Sequence, residues 1–230
     1  MAQAARPKRI LEIGAGLGRI TSELARVAPA TGLDVCLEML SIARRRPGRA
    51  HFVAADARRA AFPACFDLIV APGDPISHMT TSSDRRLALS AVARQLSPPG
   101  IFVLEGLYRR RSEVAHPRRT IRYAQGVLEI DEAWFPVGGG NLWRARYHYR
   151  DRRKDGTLRT LDAAFLARAW DRATMRGLFG DCGLEIAALW GDFDRRPLRR
   201  DSPRIVAVAH RKGTGESRET RRALARILRT

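Results

Sequence analysis

The run Ile10–Leu11–Glu12–Ile13–Gly14–Ala15–Gly16–Leu17–Gly18 ends an apolar, β-prone stretch in a carboxylate and three alternate glycines. Gly14 and Gly16 allow a sharp turn and let the backbone approach a ligand with no Cβ in the way. Glu12 is expected at the strand end, facing the same crevice. Asp34 closes a second short apolar run twenty residues after Gly14. At that distance a carboxylate can take a ribose hydroxyl pair in open α/β sheets. Asp56 follows a third run. Further on, Asp74, Ser77 and His78 lie in and beyond the break Pro72–Gly73–Asp74–Pro75. His78 titrates near neutrality and suits general-base work, and Asp74 can orient or attract a cationic reactant. The glycine spacing is G-x-G-x-G, whereas a dinucleotide fingerprint is G-x-G-x-x-G, and Arg19 stands where its last glycine would be.

These residues need a scaffold that brings strand ends together. Residues 8–13, Thr31–Val35, Ala50–Ala55, Phe66–Ala71 and Ile101–Leu107 read as strands. Helical periods run over Leu17–Val27, Leu37–Arg46 and Asp84–Leu96. Pro29, Pro47–Gly48 and Pro98–Pro99–Gly100 end those helices. Strands alternating with helices predict right-handed βαβ units and a parallel sheet. Across Arg118–Arg159 the pattern becomes alternating and aromatic, over Arg119–Tyr123, Val127–Phe135, Leu142–Arg150 and Thr157–Leu161. Gly138–Gly139–Gly140–Asn141 and Lys154–Asp155–Gly156 are turn signals. Helical character returns at Asp171–Phe179, with Asp171 as a candidate cap, and Gly183–Leu189 and Arg204–Ala209 read as two more strands. The expected fold is α/β, a Rossmann-like, seven-stranded, mostly parallel sheet flanked by helices, with an inserted antiparallel β region. The expected domains are 1–107 with 166–210, an insertion at 108–165, and a basic flexible tail at 211–230 with a short amphipathic end.

A chain of 230 residues supports one sizeable core, and 45% hydrophobic residues is ordinary for a globular protein. No apolar run is long enough to span a bilayer, and Met1–Lys8 lacks a signal-like stretch. Cys36, Cys65 and Cys182 are scattered and read as reduced cysteines. A cytoplasmic location without a membrane partner follows as an expectation. The five histidines are dispersed, so no metal is expected. The net charge of +18 points at first to a polyanion. Only Lys8, Lys154 and Lys212 are lysines, however, and the arginines are spread along an Ala-, Gly- and Pro-rich chain. GC-rich codons give that profile without selection for nucleic acid.

The motifs in order resemble those of the class I S-adenosylmethionine-dependent methyltransferases. Glu12–Gly18 is similar to the family's first motif, which wraps the methionine part of the cofactor. Gly32–Leu33–Asp34–Val35 with Glu38–Met39–Leu40 is similar to the second, with Cys36 in place of the common Ser. Ala55–Asp56–Ala57 resembles the acid after the third strand, and Leu96–Ser97–Pro98–Pro99–Gly100 a later motif usually ending P-G-G. The resemblance implies S-adenosylmethionine as cofactor. It implies that Glu12, Gly14, Ala15, Gly16, Asp34, Val35, Met39, Asp56, Ala57 and Ala71 line its site. Asp34 would hold the ribose, Met39 would lie near the adenine, and Asp56 would contact the adenine amino group. The loop carrying Asp74 and His78 would lie beside the methyl group. The family usually carries helices before its first strand to cap the cofactor; here that strand starts near Lys8.

The insertion, with Leu189–Trp190–Gly191–Asp192–Phe193, resembles small-molecule N-methyltransferases of the amino-sugar and glycine/sarcosine type. That implies methylation of a small-molecule amine or hydroxyl, with the insertion covering the substrate or pairing two subunits as a homodimer. Trp143, Tyr147 and His148 are its candidate substrate residues, although aromatics in strands also serve as sheet core. Two other classes compete. A nucleic-acid methyltransferase would use the basic surface, but Ala71–Pro72–Gly73–Asp74 replaces the N-P-P-Y or D-P-P-Y of base methylation, and Cys65 follows Ala64 where a Pro-Cys nucleophile is needed. A non-catalytic cofactor-binding protein would have lost glycines or acids that are intact here.

Overall fold

The computed structural model describes residues 6–108, 114–138, 141–215 and 217–229. The strands are β1 (Ile10–Ile13), β2 (Ala30–Asp34), β3 (His51–Ala54), β4 (Phe66–Ala71), β5 (Leu96–Gly106), β6 (Val114–Tyr123), β7 (Gly126–Pro136), β8 (Leu142–Arg153), β9 (Leu158–Arg168), β10 (Leu184–Trp190) and β11 (Ile205–Arg211). The helices are α1 (Arg19–Leu24), α2 (Leu37–Ala43), α3 (Ser82–Gln95), α4 (Arg172–Asp181) and α5 (Arg218–Arg229), with a 3-10 turn at Pro75–His78. The chain divides into two compact units, Met1–Tyr108 with Trp170–Thr230, and Arg109–Ala169.

The first unit is one seven-stranded sheet in the order β10-β11-β5-β4-β1-β2-β3. Strands β3, β2, β1, β4 and β5 pair in parallel, and β11 is antiparallel to both β5 and β10. All four residues of β1 are buried, as a central parallel strand covered on both faces requires. Leu11, Ile13, Leu33, Ile69, Phe102 and Phe179 fill one face of the sheet. Ile10, Leu68, Ile101, Val103, Val206 and Val208 fill the other. Asp171 caps α4 by accepting from the Thr174 amide at 2.9 Å, as its position before the helical run predicts.

Three sequence expectations change. Strand β5 begins at Leu96 and runs through Pro98–Pro99–Gly100. Its register against β4 shifts between Phe66 and Leu68, which accommodates prolines that cannot donate to a ladder. Strand β9 continues to Arg168, paired with β8 throughout. Its Asp162–Arg168 part has helical composition, which the pairing overrides. The second unit therefore runs to Ala169, past the expected boundary at 165. The expected flexible tail at 211–230 instead holds the end of β11 and all of α5. Ile227 of α5 is fully buried, and Ala223 and Leu224 pack against the same apolar cluster. Their helical spacing gives the amphipathic end an apolar stripe, which is packed against the sheet and not left in solvent.

The second unit is a four-stranded antiparallel sheet in the order β6-β7-β8-β9. This is the inserted antiparallel region, with strands longer than their sequence signals.

Candidate functional site

A crevice of about 530 Å³ opens at the carboxyl ends of β1, β2, β3 and β4. Ligands of open α/β sheets bind in this position. Gly14, Gly16, Asp34, Val35, Met39, Asp56, Ala57 and His78 line it, so eight of the residues singled out in the sequence meet in one place.

The glycine turn is left-handed at Gly14 (φ 75°) and Gly16 (φ 51°). The amides of Gly14 and Ala15 both donate to the Leu33 carbonyl, at 2.8 and 3.0 Å, which ties the turn to β2. A Cβ on Gly14 would stand 2.6 Å from Pro75 Cβ, so the glycine lets the loop after β4 close against the turn. Asp34 receives the Gly16 amide on Oδ2 at 2.7 Å and the Cys36 amide on Oδ1 at 2.9 Å. Each carboxylate oxygen keeps a further lone pair for a ligand. Val35 is 70% exposed and Met39 38% exposed, an apolar shelf beside the acid.

Asp56 meets a residue that the sequence reading missed. Arg58 grips its carboxylate with Nε at 2.9–3.0 Å and Nη2 at 2.6 Å, and reaches Asp84 with Nη1 at 2.7 Å. Asp84 lies in the first turn of α3, where Thr81 caps the helix. The Arg58 guanidinium holds the Asp56 carboxyl below its usual range. The Asp56-x-Arg58 spacing carries no motif, and Asp84 is distant in sequence, so the bridge exists only in the fold.

Four expected site residues stand elsewhere. Glu12 is buried behind the turn, not facing the crevice, and accepts a short hydrogen bond from Thr21 Oγ1 of α1. Burial pushes its carboxyl up to about 7, against the opposing pull of Thr21. Ala15 and Ala71 are buried and do not line the crevice. Asp74 is buried as well and points away from any reactant. Its Oδ1 accepts from the Ser77 amide at 3.0 Å and faces the Trp170 indole nitrogen at 3.4 Å, while Oδ2 takes the Leu107 amide. The loop after β4 needs such a pin here because Gly73 and Asp74 are both left-handed. Glu105 adds another by accepting from the Gly73 amide at 2.8 Å, and Arg204 holds Glu105 at 2.6 Å.

His78 ends the 3-10 turn and lines the crevice. Partial desolvation lowers its pKa, so the imidazole is neutral at pH 7 and able to accept a proton.

The candidate substrate residues lie in the second unit. Trp143 is buried. Tyr147 stacks on Tyr149 and Phe165 at 5.9 and 5.8 Å, and burial raises its phenol pKa further, which disqualifies it as a base at neutral pH. His148 pairs with Asp162 at 2.7 Å. Adjacent residues of a strand point to opposite faces, so Tyr147 and His148 cannot serve one pocket together.

Residues 10–100 match the family model described as a methyltransferase domain. The match takes in the turn after β1 and the strand-end acids Asp34 and Asp56. A demethylmenaquinone methyltransferase of Thermotoga maritima is 31% identical over 148 residues, which cover 62% of this chain and 58% of that protein. The chain spans about half the length of the curated relatives it matches. Among solved structures, the amino pentose methyltransferase CalS10 of Micromonospora echinaspora, with S-adenosylmethionine bound, superposes with a TM-score of 0.77 at 22% identity, over 92% of this chain and 87% of that one. The sugar N-methyltransferase KedS8 of a Streptoalloteichus species gives 0.77 at 15% identity, over 91% and 82%. At these identities the likeness is one of fold.

Proposed function

We propose that the protein transfers the methyl group of S-adenosylmethionine to a small-molecule amine. The observation that carries this reading is the crevice in which the Gly14–Gly16 turn and the Asp34 carboxylate are joined by one hydrogen bond. The residues present fit the cofactor. The volume suits a ligand of its size, and a Cβ on the turn would fill the cradle. Asp34 would hold the ribose hydroxyls, Val35 and Met39 the apolar faces, and Asp56 with Ala57 the adenine edge. When bound, S-adenosylmethionine supplies a methyl group already activated by its sulfonium.

The protein then has to align an acceptor, exclude water and remove a proton. Alignment of this kind supplies roughly 7–11 kcal/mol. The loop from Pro72 to His78, pinned at Gly73 and Asp74, fixes the crevice wall where an acceptor would stand. His78 takes a proton from the acceptor nitrogen through its imidazole, which is neutral because its pKa is depressed. The amine assignment draws support from the likeness to the amino pentose and sugar N-methyltransferases. Among the described residues no helix is long and apolar enough to cross a membrane.

The experiment is incubation with methyl-labelled S-adenosylmethionine and a panel of amines, amino sugars, phenols and RNA. Label on an amine nitrogen is expected. Label confined to phenols would move the acceptor to oxygen, and label confined to RNA would overturn the small-molecule reading.

A further inference from the structure

Asp74 is a buried acid that the proposed chemistry does not use, and its partners sit at a topologically special place. Leu107 and Trp170 flank the two points where the chain leaves the first unit and returns to it. They are joined to each other, since the Trp170 amide donates to the Leu107 carbonyl at 2.7 Å and Tyr108 bridges Trp170. The fit is close. A Cβ on Gly106 would lie 2.5 Å from Trp170 Cδ1, so the indole rests directly on the β5 backbone. Trp170 is fully buried, and the Arg85 guanidinium of α3 stacks over its ring at 4.0 Å while donating from Nε to the Met79 carbonyl at 3.0 Å. The indole is thus held between an acid at its N–H and a cation on its face.

We propose that Asp74 is a positioning residue that clamps the loop bearing His78 to the two chain crossings at Leu107 and Trp170. Both oxygens of the carboxylate are engaged, Oδ2 by Leu107 and Oδ1 by Ser77 and Trp170. The ionised group accepts strongly on both sides, whereas protonation puts a donor on one oxygen and weakens that oxygen as an acceptor. An unpaired buried N–H is costly, so losing the clamp frees whichever partner is left without an acceptor. All these residues belong to the first unit, and the clamp does not depend on the identity of the methyl acceptor.

The charged and titratable groups on the surrounding elements are Arg85 of α3, His78 of the 3-10 turn, Glu105 of β5 and Asp171 after Trp170. Of these Arg85 favours the ionised Asp74, whereas burial is the larger effect and lifts the carboxyl to about 6.

The test is amide and indole hydrogen exchange by NMR on the full chain, with Asp74→Ala and Asp74→Asn. In Asp74→Ala the Leu107 amide and the Trp170 indole N–H exchange at least tenfold faster than in wild type. Asp74→Asn keeps one acceptor oxygen, so one of the two sides loses protection while the other keeps it. In wild type the Trp170 indole proton shifts with a midpoint near pH 6, and in Asp74→Asn it does not. Unchanged exchange at both positions in Asp74→Ala would overturn the clamp. If that variant fails to fold, a Trp170 signal with the same pH midpoint in wild type and Asp74→Asn would do so. Both readouts are taken without cofactor, so they stand apart from the methyl-transfer assignment.

Discussion

The Gly16 amide donates to Asp34 Oδ2 at 2.7 Å, and that bond sets the spacing between the turn after β1 and the end of β2. The acid that would read a ribose is the same group that shapes the floor beneath it. Turn and acid therefore form one unit, and changes on either side are felt on the other.

Gly14→Ala tests the closure of that unit. Its φ of 75° is strained for any side chain, and the added Cβ would meet Pro75 Cβ at 2.6 Å. A left-handed non-glycine residue costs on the order of 1–3 kcal/mol, and the contact adds to it. Denaturant unfolding should show a loss of that size, together with weaker S-adenosylmethionine binding. Wild-type stability would mean that the loop after β4 does not bear on the turn.

The two buried carboxylates predict how stability follows pH. Folding raises Glu12 from 4.5 to about 7 and Asp74 from 3.8 to about 6. The folded chain then binds more protons than the unfolded chain between these limits. Stability from Glu12 rises as pH falls from about 7 towards 4.5, and that from Asp74 as pH falls from about 6 towards 3.8. His78, with a lowered pKa, works in the opposite sense. Thermal midpoints of wild type and Glu12→Gln, measured at about pH 8 and about pH 5.5, check this. The gain on acidification should shrink in Glu12→Gln; an identical pH dependence would remove Glu12 as its source.

Much of this was legible in the sequence, for physical reasons. Buried parallel strands leave unbroken apolar runs, and a tight turn leaves glycines, so β1, β4 and the Gly14–Gly16 turn announce themselves. Asp34 follows from strand-end spacing, whereas Val35 and Met39 are marked only by the resemblance of their segment to the family's second motif. Burial direction is not written locally: Glu12 and Asp74 read as crevice acids, yet their partners Thr21, Leu107 and Trp170 turn them inward. Arg58 was invisible because its partner Asp84 comes from another element. The tail reads as arginine-rich with a short amphipathic end, and its charge gives no sign that Ala223, Leu224 and Ile227 pack against the sheet.

Arg58→Ala separates rim chemistry from stability. The bridge to Asp56 and Asp84 is half-buried at the crevice rim and open to solvent on one side, and ion pairs reached by solvent contribute little to folding. The thermal midpoint should stay close to wild type. Cofactor affinity should fall roughly tenfold, as expected for losing the group that holds one charged hydrogen-bond acceptor. Equal affinity would mean that Asp56 needs no partner to do its part.

His78→Ala tests the base. With an acceptor in hand, turnover should drop by about 10²-fold while cofactor affinity stays unchanged. The wild-type rate should fall on acidification below the ordinary histidine value of 6.5, because its pKa is lowered. An unaltered rate across that range would leave positioning as the whole mechanism.

The central claim is that this crevice binds S-adenosylmethionine through the acid at the end of β2. Calorimetric titration of the cofactor into wild type and Asp34→Ala tests it most directly. A hydrogen bond to a charged group contributes about 1.5–3 kcal/mol, so Asp34→Ala should bind at least tenfold more weakly than a wild type that binds one equivalent. Equal binding by the two proteins, or no binding by wild type, would contradict it.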